Sequence, residues 1–141
     1  VFALPRARNH VSSLHRPIFD PRTIETSSIQ PSYYTEQVID HFSPNTLGTF
    51  SQKYFVNSTF WGGPGSPIFL ILGGEGPISA SDVDTHFIIS EYAAQFSAMV
   101  ISVEHRFYGE TQPFNDTSTE HLVYLTTPQA LADYAQFIQY I

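Results

Sequence analysis

Ile68-Phe69-Leu70-Ile71-Leu72, followed at once by Gly73-Gly74-Glu75-Gly76-Pro77, reads as a strand buried on both faces and the loop at its C-terminal end. Ala98-Met99-Val100-Ile101-Ser102-Val103 repeats the pattern and runs into Glu104-His105-Arg106-Phe107-Tyr108-Gly109-Glu110. Between the two strands, caps at Ser81 or Asp82 precede Ile89, Tyr92, Ala93 and Phe96. Their i, i+3, i+4, i+7 spacing predicts a helix over 84–96. Further on, Thr127-Pro128 reads as N-cap and first helical position. The helix it opens carries the stripe Leu131, Tyr134, Ala135 and Ile138 and is still running at Ile141, so the chain is expected to be incomplete.

Upstream, Gln37–Phe42 is a short extended segment closed by Ser43-Pro44-Asn45. Thr49–Asn57 alternates: Phe50, Gln52, Tyr54 and Val56 share one face, and Ser51, Lys53 and Phe55 the other. Strand, helix, strand, helix with buried strands is the α/β pattern of a mostly parallel sheet, here with an antiparallel edge hairpin from the first strands. Residues 1–30 hold Pro5, Pro17 and Pro21 and sustain no period of 2 or 3.6 residues. They read as a poorly ordered leader or pro-segment, with the folded domain over 31–141.

The whole chain of 141 residues is 42% hydrophobic and 15% aromatic, enough apolar content for one core and too much for a disordered chain. Its formal net charge is −7. After residue 30 only Lys53 and Arg106 stand against eleven acids, which argues against nucleic-acid binding. There is no cysteine, hence no thiolate metal site, no disulfide and no cysteine nucleophile. No apolar run approaches the ~20 residues of a membrane span. The six His lack metal-ligand spacing, so neither a metal nor a cofactor is assigned. Asn57-Ser58-Thr59 and Asn115-Asp116-Thr117 fit the glycosylation pattern and give weak support to a secretory route.

In a parallel sheet, chemistry gathers at the C-terminal strand ends, which here are the loops Gly73–Pro77 and Glu104–Glu110. Gly73, Gly74, Glu75 and Gly76 do not make a dinucleotide fingerprint, because Ile78 stands where the third glycine belongs. A glycine loop in this place supplies an oxyanion donor in α/β-hydrolases. A tight turn that needs φ > 0 explains the same glycines, and on spacing the two readings stand level. Gly62-Gly63-Pro64-Gly65 precedes the buried strand and reads as a surface turn. Alternation puts Glu104 and Arg106 on one face, with His105 opposite. Arg106, if buried, needs a carboxylate, for which Glu104, Glu110 and Glu75 are the candidates, and a structural ion pair is the favoured reading. His105 is either a general base or, more commonly at a strand end, hydrogen-bonded scaffold. Tyr108 and Glu110 complete this neighbourhood. No G-x-S-x-G elbow occurs, so no Ser here is credited as nucleophile.

Taken in order, Gln37–Phe42, Thr49–Asn57, Gly73–Gly76, Glu104–Glu110 and Gln129–Asp133 resemble the serine carboxypeptidase family of lysosomal Pro-Xaa carboxypeptidase, dipeptidyl peptidase II and thymus-specific serine protease. The string Glu104-His105-Arg106-Phe107-Tyr108-Gly109-Glu110 is the most specific of these. The resemblance runs from Tyr33 to Ile141. It implies the N-terminal part of an α/β-hydrolase, cut before the nucleophile elbow, from a serine exopeptidase acting by Ser-His-Asp acyl transfer. Substrates would be peptides with proline near the scissile bond, in lysosomes, vacuoles or outside the cell. The family's nucleophile sits in a G-G-S-Y-G-G elbow, with its Asp and His later still. All three are therefore expected beyond Ile141, and the fragment itself is expected to be inactive. An esterase or lipase, or a non-catalytic secreted glycoprotein of the same fold, remain the alternatives.

Overall fold

The computed structural model describes residues 29–85 and 88–141. The segment read as a leader lies outside the described residues except for Ile29 and Gln30, and Ile29 packs against the core. Four strands, β1 (Ser32–Val38), β2 (Thr49–Asn57), β3 (Ile68–Leu72) and β4 (Met99–Val103), form one sheet in the order β1-β2-β4-β3. The antiparallel hairpin at the edge is present as β1–β2. β2 pairs antiparallel with β4, and only β3–β4 is parallel, so among the described residues antiparallel pairing outweighs the expected parallel majority.

β4 is central and divides its side chains between two layers. Val100 faces Phe55, Ile78, Val83, Ile89, Ala93 and Ala98. Ile101 and Val103 face Tyr34 and, from helix α3 (Thr127–Tyr140), Ala130, Tyr134 and Phe137. Both faces of the sheet are thus covered, as an α/β architecture requires. The alternation read in β2 holds on the α3 side. Its opposite face is also buried at Phe55 and Asn57, where β2 runs against β4. Gln52, the polar member of the inner stripe, is fully buried in a side-chain ladder: Gln37 Nε2 donates to its Oε1 at 2.8 Å and its own Nε2 donates to Glu104 O at 2.9 Å.

Four expectations need correction. The first strand is Ser32–Val38, not the Gln37–Phe42 segment, whose later half turns toward α3. β3 lies at the sheet's edge with β4 its one neighbour among the described residues, so Ile68 and Leu72 are 39% and 48% exposed. In place of a regular helix over 84–96 there is a 3-10 turn Ala80–Val83, a π-helical segment Ile88–Ala93 and one α-turn, α1 (Ala94–Phe96). The i→i+5 winding keeps Ile89 and Ala93 inside while Tyr92 and Phe96 swing out, and Ser97 (φ 53°) ends it with Ala98 N donating to Ala93 O. Tyr92 and Phe96 form, with Ile68, Phe69, Leu70 and Ile71, an open apolar groove of about 570 Å³.

The last correction concerns α3. It starts one residue earlier than expected, with Thr126 and not Thr127 as its N-cap and Pro128 in its first turn after Thr127, and its inner stripe is Ala130, Asp133, Tyr134 and Phe137. Leu131 and Ile138 stay more than half exposed. Polarity alone places Asp133 outside; its ion pair with Arg106 draws it in and turns the helix with it.

Candidate active-site neighbourhood

β3 and β4 run parallel and in register, Leu72 beside Val103, so their C-terminal ends release two loops side by side. Gly73 crosses immediately over β4: a Cβ there would lie 2.7 Å from Val103 O and 2.9 Å from His105 N, both backbone atoms. Only glycine permits that approach. Gly73 N donates to Val103 O at 2.8 Å and Gly73 O accepts from the Tyr134 hydroxyl at 3.1 Å. Gly73 is therefore spent as scaffold, and it leaves the set of expected oxyanion donors. The amides of Gly74, Glu75 and Gly76 donate to no protein group among the described residues. Glu75 is exposed, and its carboxylate has no partner among the described residues.

Glu104 and Arg106 part company, because β4 ends at Val103 and the backbone turns. Glu104 is fully buried and points toward the glycine loop. Its Oε1 accepts from Ile78 N at 3.0 Å. Its Oε2 accepts from the amides of Glu110 (3.0 Å) and Thr111 (2.9 Å) and from the Thr111 hydroxyl (2.7 Å). Gly109, at φ 54°, makes room for that carboxylate.

Arg106, also fully buried, points to α3 instead. Its Nε and Nη2 grip Asp133 Oδ2 and Oδ1, each at 2.6 Å. Its Nη1 donates to Ile39 O and Tyr124 O and its Nη2 to Val38 O, so every arm of the guanidinium is engaged. The ring of Phe50 lies 5.4 Å from its central carbon. The structural ion pair is real, but its carboxylate is Asp133, not Glu104, Glu110 or Glu75. His41 Nε2 reaches the same Asp133 Oδ1 at 2.8 Å. His105 Nδ1 lies 2.7 Å from Arg106 O, and its ring packs edge-on to Tyr108 and Tyr134, the contacts of a scaffold histidine.

Glu110 sits at the outer rim. Lys53 Nζ at 2.7 Å, and then the Tyr33 hydroxyl at 2.5 Å, hold its carboxyl below the usual carboxylate range. No cluster able to hold a metal ion occurs among the described residues.

Burial, with the Asp133 charge behind it, pushes the Tyr134 phenol up to about 12. Burial, with the Tyr140 hydroxyl 3.3 Å away, does the same for Tyr54. Phenols raised in the folded state favour folding fully below about pH 10, the ordinary phenol value, and that contribution is lost as pH climbs toward 12. Alkaline titration followed by tyrosinate absorbance should show these two lagging most of the rest. Phe substitutions at both positions should shrink the lagging fraction, leaving Tyr33, which its hydrogen bond to Glu110 also raises, and a single unshifted titration would refute the assignment.

The family profile described as serine carboxypeptidase S28 matches residues 37–141. The chain belongs to that family. It is 38% identical over 136 residues to a probable serine protease EDA2 of Arabidopsis thaliana, covering 92% of this chain and 27% of that protein. It is 37% identical over 142 residues to the human lysosomal Pro-X carboxypeptidase, covering 99% and 28%. Against the serine protease vicPb of Bipolaris victoriae the identity is 44% over 106 residues, covering 72% and 19%. The chain thus spans roughly a quarter of the length of these S28 relatives, whose names are those of serine peptidases. Sequence reasoning anticipated this family and both strand-end loops. It did not anticipate His41 and Asp133, which lie 92 residues apart and signal nothing singly.

Proposed function

We propose that the S28 protein carrying this chain is a serine exopeptidase that cleaves peptides beside proline by acyl transfer. Its nucleophile, base and orienting acid would lie beyond Ile141, on the later part of an α/β-hydrolase sheet. The open edge of β3 would take the next strand, the one ending in the nucleophile elbow. One observation carries the reading: at the C-terminal ends of the parallel pair β3–β4, a glycine loop presents the uncommitted amides of Gly74, Glu75 and Gly76. Backbone donors aimed at a developing oxyanion are the electrostatic core of acyl-transfer catalysis. The name of the human relative supports the proline preference.

Arg106 is committed to Asp133, so the exposed Glu75 carboxylate is left for the substrate, and an ammonium group is its natural complement. The full-length protein should be labelled by a serine-directed phosphonate and should hydrolyse proline-containing peptides faster than matched esters without proline. Residues 31–141 alone should do neither. Esters cleaved without regard to proline would make it an esterase, and failure to label would make it non-catalytic.

A lysosomal, vacuolar or extracellular location goes with this reading and brings the two sequons into play. Asn57 is 7% exposed; its Nδ2 donates to Val83 O at 2.8 Å and its Oδ1 accepts from Thr59 N. A glycan on that nitrogen is incompatible with the fold. Asn115 lies exposed in the loop before helix α2 (Thr119–Leu122). Asn115→Gln should therefore lower the mass of protein from its native host by one glycan, and a glycan mapped to Asn57 would refute the choice.

A further inference from the structure

The loop from Gly73 to Pro77 stands on two feet, and both rest on the end of β4. One foot is Gly73 N on Val103 O; the other is Ile78 N on Glu104 Oε1. The three uncommitted amides lie between them. Glu104 is itself held from beneath, since its own N donates to Lys53 O at 2.9 Å and its O accepts from Gln52 Nε2. Its second oxygen takes the amides of Glu110 and Thr111, so a single carboxylate fixes the spacing of the two strand-end loops.

The pattern of donors is what separates Glu104 from Arg106. Arg106 spends its bonds joining α3 to β1, which serves the fold. Apart from the Thr111 hydroxyl, the Glu104 carboxylate accepts, among the described residues, only from loop amides beside the candidate site. A fully buried carboxylate cannot exchange those donors for water without moving the backbone that bears them. We propose that Glu104 is a positioning residue, its carboxylate holding the amides of Gly74 to Gly76 where they receive the oxyanion of the tetrahedral intermediate. The inference rests on the acyl-transfer reading above. Oxyanion donors matter by position: loss of one costs about 10²–10³-fold in kcat, and a shift of about 1 Å costs on the order of 10²-fold.

The test uses the full-length protein and a proline-containing peptide ester. Glu104→Gln keeps the shape but turns one oxygen into a donor facing other donors. It should lower kcat about 10²-fold with KM changed less than about threefold, because ground-state binding makes little use of the oxyanion contacts. Glu104→Asp, which keeps the charge, should recover part of the loss. Phe137→Leu, a core change on α3 where the ring packs against Tyr34, Tyr54 and Tyr140, serves as the control for general destabilisation. It should lower Tm while keeping kcat. Hydrogen exchange of the peptide spanning residues 73–80 supplies a readout that needs no activity: Glu104→Gln should accelerate it and Phe137→Leu should not. Unchanged exchange, or equal kcat losses in the two variants at matched Tm, overturns the inference. A wild-type protein that hydrolyses nothing overturns the acyl-transfer reading and the catalytic role together, while exchange still reports whether Glu104 clamps the loop.

Discussion

Arg106→Leu should cost the full-length protein about 3–5 kcal/mol of stability, the usual loss when one partner of a buried ion pair is removed. The carboxylate of Asp133, a residue 1% exposed, would keep only His41 as a hydrogen-bond partner among the described residues. The carbonyls of Val38, Ile39 and Tyr124 would lose a donor at the same time. Arg106→Lys should rescue little, because an ammonium has no planar fork with which to span Asp133 and three carbonyls. Removing both charges, as Arg106→Met with Asp133→Leu, should recover much of the loss, since two desolvated ions are replaced by apolar contact. Denaturant midpoints of the four proteins measure this. A loss below about 1 kcal/mol in Arg106→Leu would place the pair among those that contribute nothing net.

Gly109→Ala should be nearly as damaging, at about 2–4 kcal/mol, through a different route. The new Cβ would stand 2.0 Å from Glu104 Oε1, on a carboxylate pinned by four hydrogen bonds. The left-handed backbone adds its own smaller strain, which Phe107 at φ 68° already bears two residues earlier. In a Glu104→Ala background the clash is gone, so there Gly109→Ala should cost only about 1 kcal/mol. Equal costs in both backgrounds would show that the loop, and not the carboxylate, resists the change.

The two apolar runs at 68–72 and 98–103 were legible as strands because length and bounding residues suffice for that. Their place in the sheet was not. Burial on both faces and an edge position draw on the same apolar residues, and only pairing distinguishes them. The candidate loops were legible for the same reason the strands were, since each begins where a strand stops. The rule that a buried Arg106 needs a carboxylate was sound, yet it favoured acids near in sequence or beside the expected site. Asp133 escapes that rule because it sits on a helix whose apolar residues alone indicate a different phase. α3 carries apolar side chains around much of its circumference, so its phase is set by the ion pair and not by hydrophobicity. The π-helical turn at Ile88–Ala93 has no sequence signature of comparable strength.

The brace at Arg106 also imposes an order in time. Asp133 follows Arg106 by 27 residues, and the carbonyls of Ile39 and Val38 at the end of β1, which share the guanidinium, precede it by 67 and 68. At the ~5–20 residues per second of protein synthesis, Asp133 is made on the order of seconds after Arg106. Throughout that interval the guanidinium lacks its anion, and it has every reason to stay in water. The hairpin and the central strand can pair as they emerge, but the end of β4 cannot be sealed. The turn that carries Arg106 is thus among the last parts of this segment to settle during translation, and what schedules it is an aspartate on a helix that has yet to leave the ribosome.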